Sequence, residues 1–163
     1  MTPRTPLLLL AGAAAGAGAR GAYLAAVRAL LRRNAAALMA GDPTPLLRMY
    51  AEDAELVFPG RHSWGRTYRG KGEIEAFLRR FHATGLRGEI GAILVDGPPW
   101  DARIALEFAD WIDEGGERIY DNRAVLVLRT RWGRVVHEEL YEDTQKVAEL
   151  DRRPAGATRV VPA

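Results

Sequence analysis

Residues 33–70 read RNAAALMAGDPTPLLRMYAEDAELVFPGRHSWGRTYRG, and the order of elements in this stretch decides the fold. Leu24, Val27, Leu31, Asn34 and Leu38 recur at steps of three and four and fall on one stripe, so a helix starting near Ala22 leads into it. Gly41 stops that helix. Asp42 and Thr44, with Pro45 just inside, start a short second helix ending near Tyr50. Ala54–Phe58 reads as a strand closed by Pro59-Gly60, and a loop rich in aromatic residues follows.

Beyond this stretch, Ile74, Phe77, Leu78 and Phe81 make an apolar stripe on a helix over Lys71–Ala83. Strands are expected at about Glu89–Val95, Arg103–Ile112, Arg118–Thr130 and Val135–Asp143. The turns between them are Gly97-Pro98-Pro99, Asp113-Glu114-Gly115-Gly116 and Trp132-Gly133. Helices first and an antiparallel meander after them predict an α+β fold. The chain divides into residues 1–21, a flexible Ala/Gly-rich leader or a secretory signal, a domain over 22–150, and a disordered tail over 151–163.

The leader question rests on Thr5–Arg20, TPLLLLAGAAAGAGAR, whose apolar run and small residues at Ala17-Gly18-Ala19 resemble a signal and its cleavage site. The run covers roughly 14 residues, short of the ~20 needed to span a bilayer. A chain in the cytoplasm, with no membrane partner, is the default expectation.

Charge argues against nucleic acid. The net charge is +2, but residues 1–41 hold five arginines and no acid. The body, residues 42–151, holds 15 of the 23 bases against all 21 acids, a balance of −6. A phosphate-binding surface needs the opposite sign there. Cysteine is absent, which excludes thiolate chemistry and disulfides. His62, His82 and His137 stand singly without ligand spacing, so no metal is expected. Gly65–Lys71 imitates a phosphate loop but continues with Gly72 where a magnesium-binding hydroxyl would stand.

Alternation along Arg118–Thr130 sets the faces. Asn122, Ala124, Leu126 and Leu128 share one side. Val125 and Val127 lie on the other, among Asp121, Arg123, Arg129 and Arg131. The apolar even-numbered side is expected under the helices. The odd side then faces solvent or a second copy of the chain through Val125 and Val127. Ile104, Leu106 and Phe108 point the preceding strand the same way and would carry Asp110 inside.

The Ala40-Gly41-Asp42 break, YAEDAELVF, YRGK and the closing YEDTQ resemble the SnoaL-like proteins. These lie within the nuclear transport factor 2-like superfamily that also holds the ketosteroid isomerases. The resemblance covers about Ala22 to Leu150. It implies a cone-shaped, curved antiparallel sheet wrapped around N-terminal helices, with a single pocket and no cofactor. It also turns Glu138, Leu140 and Glu142 inward on the last strand.

Carried over residue by residue, the isomerases' tyrosine falls on Asn34, their base on Phe58 and their pocket acid on Ala124. All three are replaced, so that mechanism is not expected here. The resemblance leaves a small-molecule pocket protein, probed for acid–base chemistry at Glu138 and Asp110. Asn34 and Asn122 would orient substrate, and His62, Trp64 and Tyr68 would line the pocket mouth. Two alternatives stay open. One is a non-catalytic binding or dimerisation module. The other is a limonene-type epoxide hydrolase using Asp121 and Arg123, with Glu139 or Asp143 as third member.

Overall fold

The computed structural model describes residues 6–152, with side chains from Gly18 onward. Helix α1 runs Pro6–Met39, beginning well ahead of the expected start at Ala22. Alanine and leucine dominate that earlier stretch, and both favour helix. The remainder of the expected leader, residues 1–5, and the tail after 152 lie outside the described residues. No described helix is long and apolar enough to cross a membrane.

Gly41 ends α1 with φ +94°, a conformation that side chains resist. Its N–H bonds the Leu38 carbonyl at 2.9 Å, and the Asp42 N–H reaches back to Ala37 at 2.9 Å. This pair of bonds satisfies carbonyls the helix would otherwise leave open. Helix α2 is only Thr44–Leu47, shorter than expected. The chain is claimed instead by strand β1, Tyr50–Phe58, because the Met49 carbonyl accepts from the Val135 N–H at 2.7 Å.

The aromatic loop contains a short strand, β2 (Arg66–Arg69), that alternation over four residues did not reveal. It pairs antiparallel to β1, with Tyr68 opposite Leu56. Helix α3 (Gly70–Ala83) buries Ile74, Phe77 and Leu78, as its stripe predicts. Strands β3 (Arg87–Asp96), β4 (Asp101–Glu114), β5 (Glu117–Arg131) and β6 (Arg134–Glu142) form the antiparallel meander. A last helix, α4 (Thr144–Asp151), also goes beyond the expected elements. Its signal was Asp143, whose Oδ1 accepts from the Gln145 N–H at 3.0 Å.

The sheet order is β2-β1-β6-β5-β4-β3. It is mixed rather than wholly antiparallel, since β1 lies parallel to β6. The helices cover one face of the sheet, and Leu56, Ile74, Val135 and Asn34 are the most deeply buried large side chains.

Arginines of the acid-free opening segment serve this packing. Arg32 donates to the Ile90 and Gly91 carbonyls at 2.6 Å each, and Arg28 to Ile93 at 3.2 Å. The β3–β4 register shifts between Ile90 and Ile93, which leaves these carbonyls outside the regular ladder.

Two glycines give opposite expectations for alanine. A Cβ on Gly65 would lie 2.1 Å from the Gly60 carbonyl oxygen, a backbone atom that cannot swing aside. Gly65→Ala should cost about 1–3 kcal/mol of unfolding free energy in urea titrations. Gly72, inside α3, has open space around it. Gly72→Ala should raise stability by about 0.5–1 kcal/mol.

Candidate functional site

A cavity of about 120 Å³ lies between the inner sheet face, α1 and α3. Leu31, Leu38, Phe58, Trp64, Phe77 and Leu128 form part of its apolar wall. Its ionisable lining is Tyr50, Asp110, Tyr120, Glu138 and Glu142, with no lysine, arginine or histidine among the described residues. The even-numbered residues of β4, β5 and β6 reach it because the alternation holds in register across three strands: Leu128 pairs with both Ile104 and Glu138.

Glu138 is 5% exposed, and the Tyr50 hydroxyl donates to its Oε2 in a short hydrogen bond. Burial pushes its carboxyl up to about 7, against a smaller downward pull from Tyr50. Desolvation, followed by the Glu138 charge, holds Tyr50 protonated well above the ordinary tyrosine range. No other hydrogen bond to Glu138 is made by the described residues, so Oε1 is left without a protein donor.

Asp110 and Glu142 form a second polar group. Asp110 is 6% exposed, and its Oδ1 has no hydrogen-bond partner; neither has Oε1 of Glu142. Desolvation raises Asp110 to about 6, with its own backbone N–H and then the Tyr120 hydroxyl pulling the other way. Desolvation raises Glu142 to about 8, helped by the negative charges of Asp110 and Asp143. Asp110 therefore ionises first, and its charge then resists ionisation of Glu142.

Glu138 and Glu142 are four residues apart on β6, or ~13 Å along the strand. Asp110 sits opposite Asn122 and Glu142 opposite Ala124, whereas Glu138 sits opposite Leu128. The structure thus places Asp110 with Glu142 at one end of the cavity and Glu138 with Tyr50 at the other.

Among the residues expected to meet substrate, Trp64 lines the cavity at 5% exposure. The Arg80 guanidinium stacks 4.0 Å from its ring centre. The others engage the protein itself. Asn34 is buried, with Nδ2 donating to the Pro45 carbonyl at 3.2 Å, while its Oδ1 has no partner. His62 Nε2 lies 2.9 Å from the Pro59 carbonyl, and the Tyr68 hydroxyl donates to the Trp64 carbonyl at 3.0 Å. Asn122 donates to the Tyr120 hydroxyl at 3.1 Å and the Asp143 carbonyl at 3.0 Å, so it positions Tyr120.

Asp121 and Arg123 are exposed on the outer face, and Asp121 bonds Lys146 at 2.7 Å. Glu139 lies on the same outer face, where His137 approaches it, and Asp143 caps α4. The carboxylate–arginine cluster of the hydrolase alternative is therefore a set of surface groups outside the cavity. No group of three His, Cys, Asp or Glu able to hold a metal occurs among the described residues.

Sequence reasoning passed over Tyr50, Tyr120 and Glu142. Glu142 was already on the inward face of the last strand. Tyr50 was assigned to a helix end, which hid its place on the same inner face as Ala54, Leu56 and Phe58.

Three carboxyls with raised pKa values give a definite pH dependence. Between the ordinary carboxyl range and about 8 the folded chain holds more protons than the unfolded one. Stability is therefore greatest near the unfolded carboxyl pKa values and falls as pH rises from there, levelling off once it has passed about 8. Thermal melts should show this decline, with Glu142→Gln flattening its upper part and raising the melting temperature near pH 8.

The SnoaL-like domain family matches residues 27–138. Curated proteins gave no match. Among solved structures, Bal32a from a soil-derived mobile gene cassette is 25% identical with a TM-score of 0.66, over 77% of this chain and 95% of that one. A nuclear transport factor 2-like protein of Burkholderia pseudomallei is 22% identical with a TM-score of 0.65, over 77% and 97%. One from Novosphingobium aromaticivorans, described as having a cystatin-like fold, is 19% identical with a TM-score of 0.60, over 93% and 99%. With a family match over most of its length and this architecture, the chain belongs to the SnoaL-like family of the nuclear transport factor 2-like fold.

Proposed function

We propose that the chain is a small-molecule pocket enzyme in which Glu138 transfers a proton, with Tyr50 as its partner. The observation that carries this reading is a carboxyl buried against an apolar cavity and held by a tyrosine hydroxyl, and that burial pushes its pKa up to about 7. Such a group populates both protonation states near neutrality, as a catalyst that takes and returns a proton requires. Oε1, which accepts no bond from the described residues, is the oxygen placed to take the proton.

Once Oε1 is protonated, Tyr50 is no longer held by an anion and can turn its hydrogen toward charge developing on the substrate. Isomerisation, cyclisation, dehydration and hydrolysis all share this step. Asp110 and Glu142 anchor the far end of the ligand. Trp64 supplies an aromatic wall, and Asn34, His62, Tyr68 and Asn122 support the walls from behind.

A panel of cyclic enones and β-keto esters in D₂O tests the proposal by hydrogen–deuterium exchange at their acidic C–H bonds. Exchange should rise with pH through about 7, and Glu138→Gln should slow it by about 10²–10⁴-fold. Ligand binding with no exchange, or exchange unchanged in Glu138→Gln, would favour the second reading, a binding module without chemistry. That reading draws on the engagement of His62 and Tyr68 by the protein backbone.

A homodimer through the outer sheet face is part of the same proposal. Val125, 40% exposed, and Tyr141, 52% exposed, sit opposite each other on β5 and β6. With Val127 they form an apolar strip beside a shallow outer hollow. Val125→Glu should convert a dimer to a monomer in size-exclusion chromatography with light scattering, and leave the melting temperature of the monomer close to unchanged.

A further inference from the structure

We propose that the Asp110/Glu142 end of the cavity binds the ammonium group of a small organic amine, whose apolar body lies along the aromatic wall. This rests on the reading of the cavity as a ligand pocket and adds the chemical class of the ligand. Asp110 is 6% exposed, yet its Oδ1 accepts no hydrogen bond, and Oε1 of Glu142 on β6, across β5 from it, is equally unpartnered. Buried acceptors are normally satisfied, so two on one cavity wall mark the place of a donor supplied from outside the protein.

The surroundings select the charge of that donor. On β4 the group is Asp110 itself; on β5 it is Tyr120, whose hydroxyl takes the Asn122 amide hydrogen. On β6 it is Glu142. Asp121 on β5 and Lys146 on α4 pair with each other at 2.7 Å on the surface, and Asp143 caps α4. From α1 and α3 the cavity receives only apolar side chains, among them Leu38, Met39 and Phe81. Among the described residues, two acids thus face the hollow with no cation in its lining, and Lys146, whose charge reaches Asp110, is paired with Asp121. An anionic ligand would be repelled, and a neutral one would leave the charge uncompensated.

A metal ion is the poorer fit, because no third His, Asp or Glu completes a ligand set among the described residues. An ammonium needs only acceptors, and it gains from aromatic faces nearby. Phe108 stands two residues from Asp110 on the inner face of β4, with Phe81 packed against it at 6.1 Å between ring centres. The volume of about 120 Å³ approaches that of the ~150 Å³ cavity known to take a benzene ring, which suits an amine built on one ring.

Calorimetric titration with benzylamine, benzyl alcohol and benzoate tests the assignment on the full chain and on the double variant Asp110→Asn/Glu142→Gln. At about pH 8.5 benzylamine should bind at least about tenfold tighter than benzyl alcohol, with benzoate weakest. At about pH 5.5 that preference should shrink to about threefold or less as the two carboxyls take up protons. The double variant should lose the preference, binding amine and alcohol within about threefold of each other, with an unchanged near-ultraviolet circular dichroism spectrum showing that its fold is intact. Equal affinity for amine and alcohol at about pH 8.5, or a preference that survives in the double variant, would overturn the amine assignment and leave the pocket reading standing. Failure of all three probes to bind would overturn the pocket reading and this inference with it.

Discussion

The parity of β4, β5 and β6 is the constraint on which every other feature of the site depends. In a strand the side chains alternate, so one residue of slippage would exchange the whole inner set for the outer set. The pairing Ile104–Leu128–Glu138 fixes one row across the three strands, and Phe108–Ala124–Glu142 fixes another. Apolar residues at most positions of these rows, packed under α1 and α3, hold the register. The few acids on the same parity are carried inside with them. A burial that no acid would choose alone is thus enforced by the many leucines, isoleucines and phenylalanines that share its strands.

This explains how much could be read from the sequence. Asn122, Ala124, Leu126 and Leu128 show their common face by alternation alone, and Asp110 and Glu138 follow from the same parity. Residues whose roles depend on local bonding could not be read in this way. The ring of His62 is taken by a carbonyl three residues away, and the Tyr68 hydroxyl by one four residues away. No spacing rule distinguishes these contacts from a gate over a ligand. Asn122 faces inward as expected, but both its donor bonds are spent on Tyr120 and Asp143. The parallel entry of β1 beside β6 depends on where the chain travels after α2, which periodicity does not encode.

The resemblance to the isomerases gains physical content from the same register. At the position where their pocket acid would fall, this chain has Ala124, a side chain too small to reach across the cavity. Its partner on the next strand is Glu142, which brings a carboxyl to the same level of the sheet. Phe58 replaces the expected base and lines the wall, while Glu138 enters from β6 and meets Tyr50 from the start of β1. The cavity acids of this chain thus stand on β4 and β6 rather than at the carried-over positions, and a mechanism cannot be inferred from the fold alone.

The separation of the two polar ends has a consequence for both. Glu138 can hold a pKa near neutrality only while no cation lies beside it, because a nearby positive charge would favour its ionised form. Asp110 and Glu142 need a cation to be buried as anions without large cost. Four residues of β6 keep these opposed demands apart, roughly 13 Å along the strand. A compact cation bound at one end would leave the proton affinity of the other largely intact, since the intervening apolar wall carries no charge of its own. With the roles proposed above, one cavity would in this way contain an anchor and a proton-transfer group whose electrostatic requirements conflict.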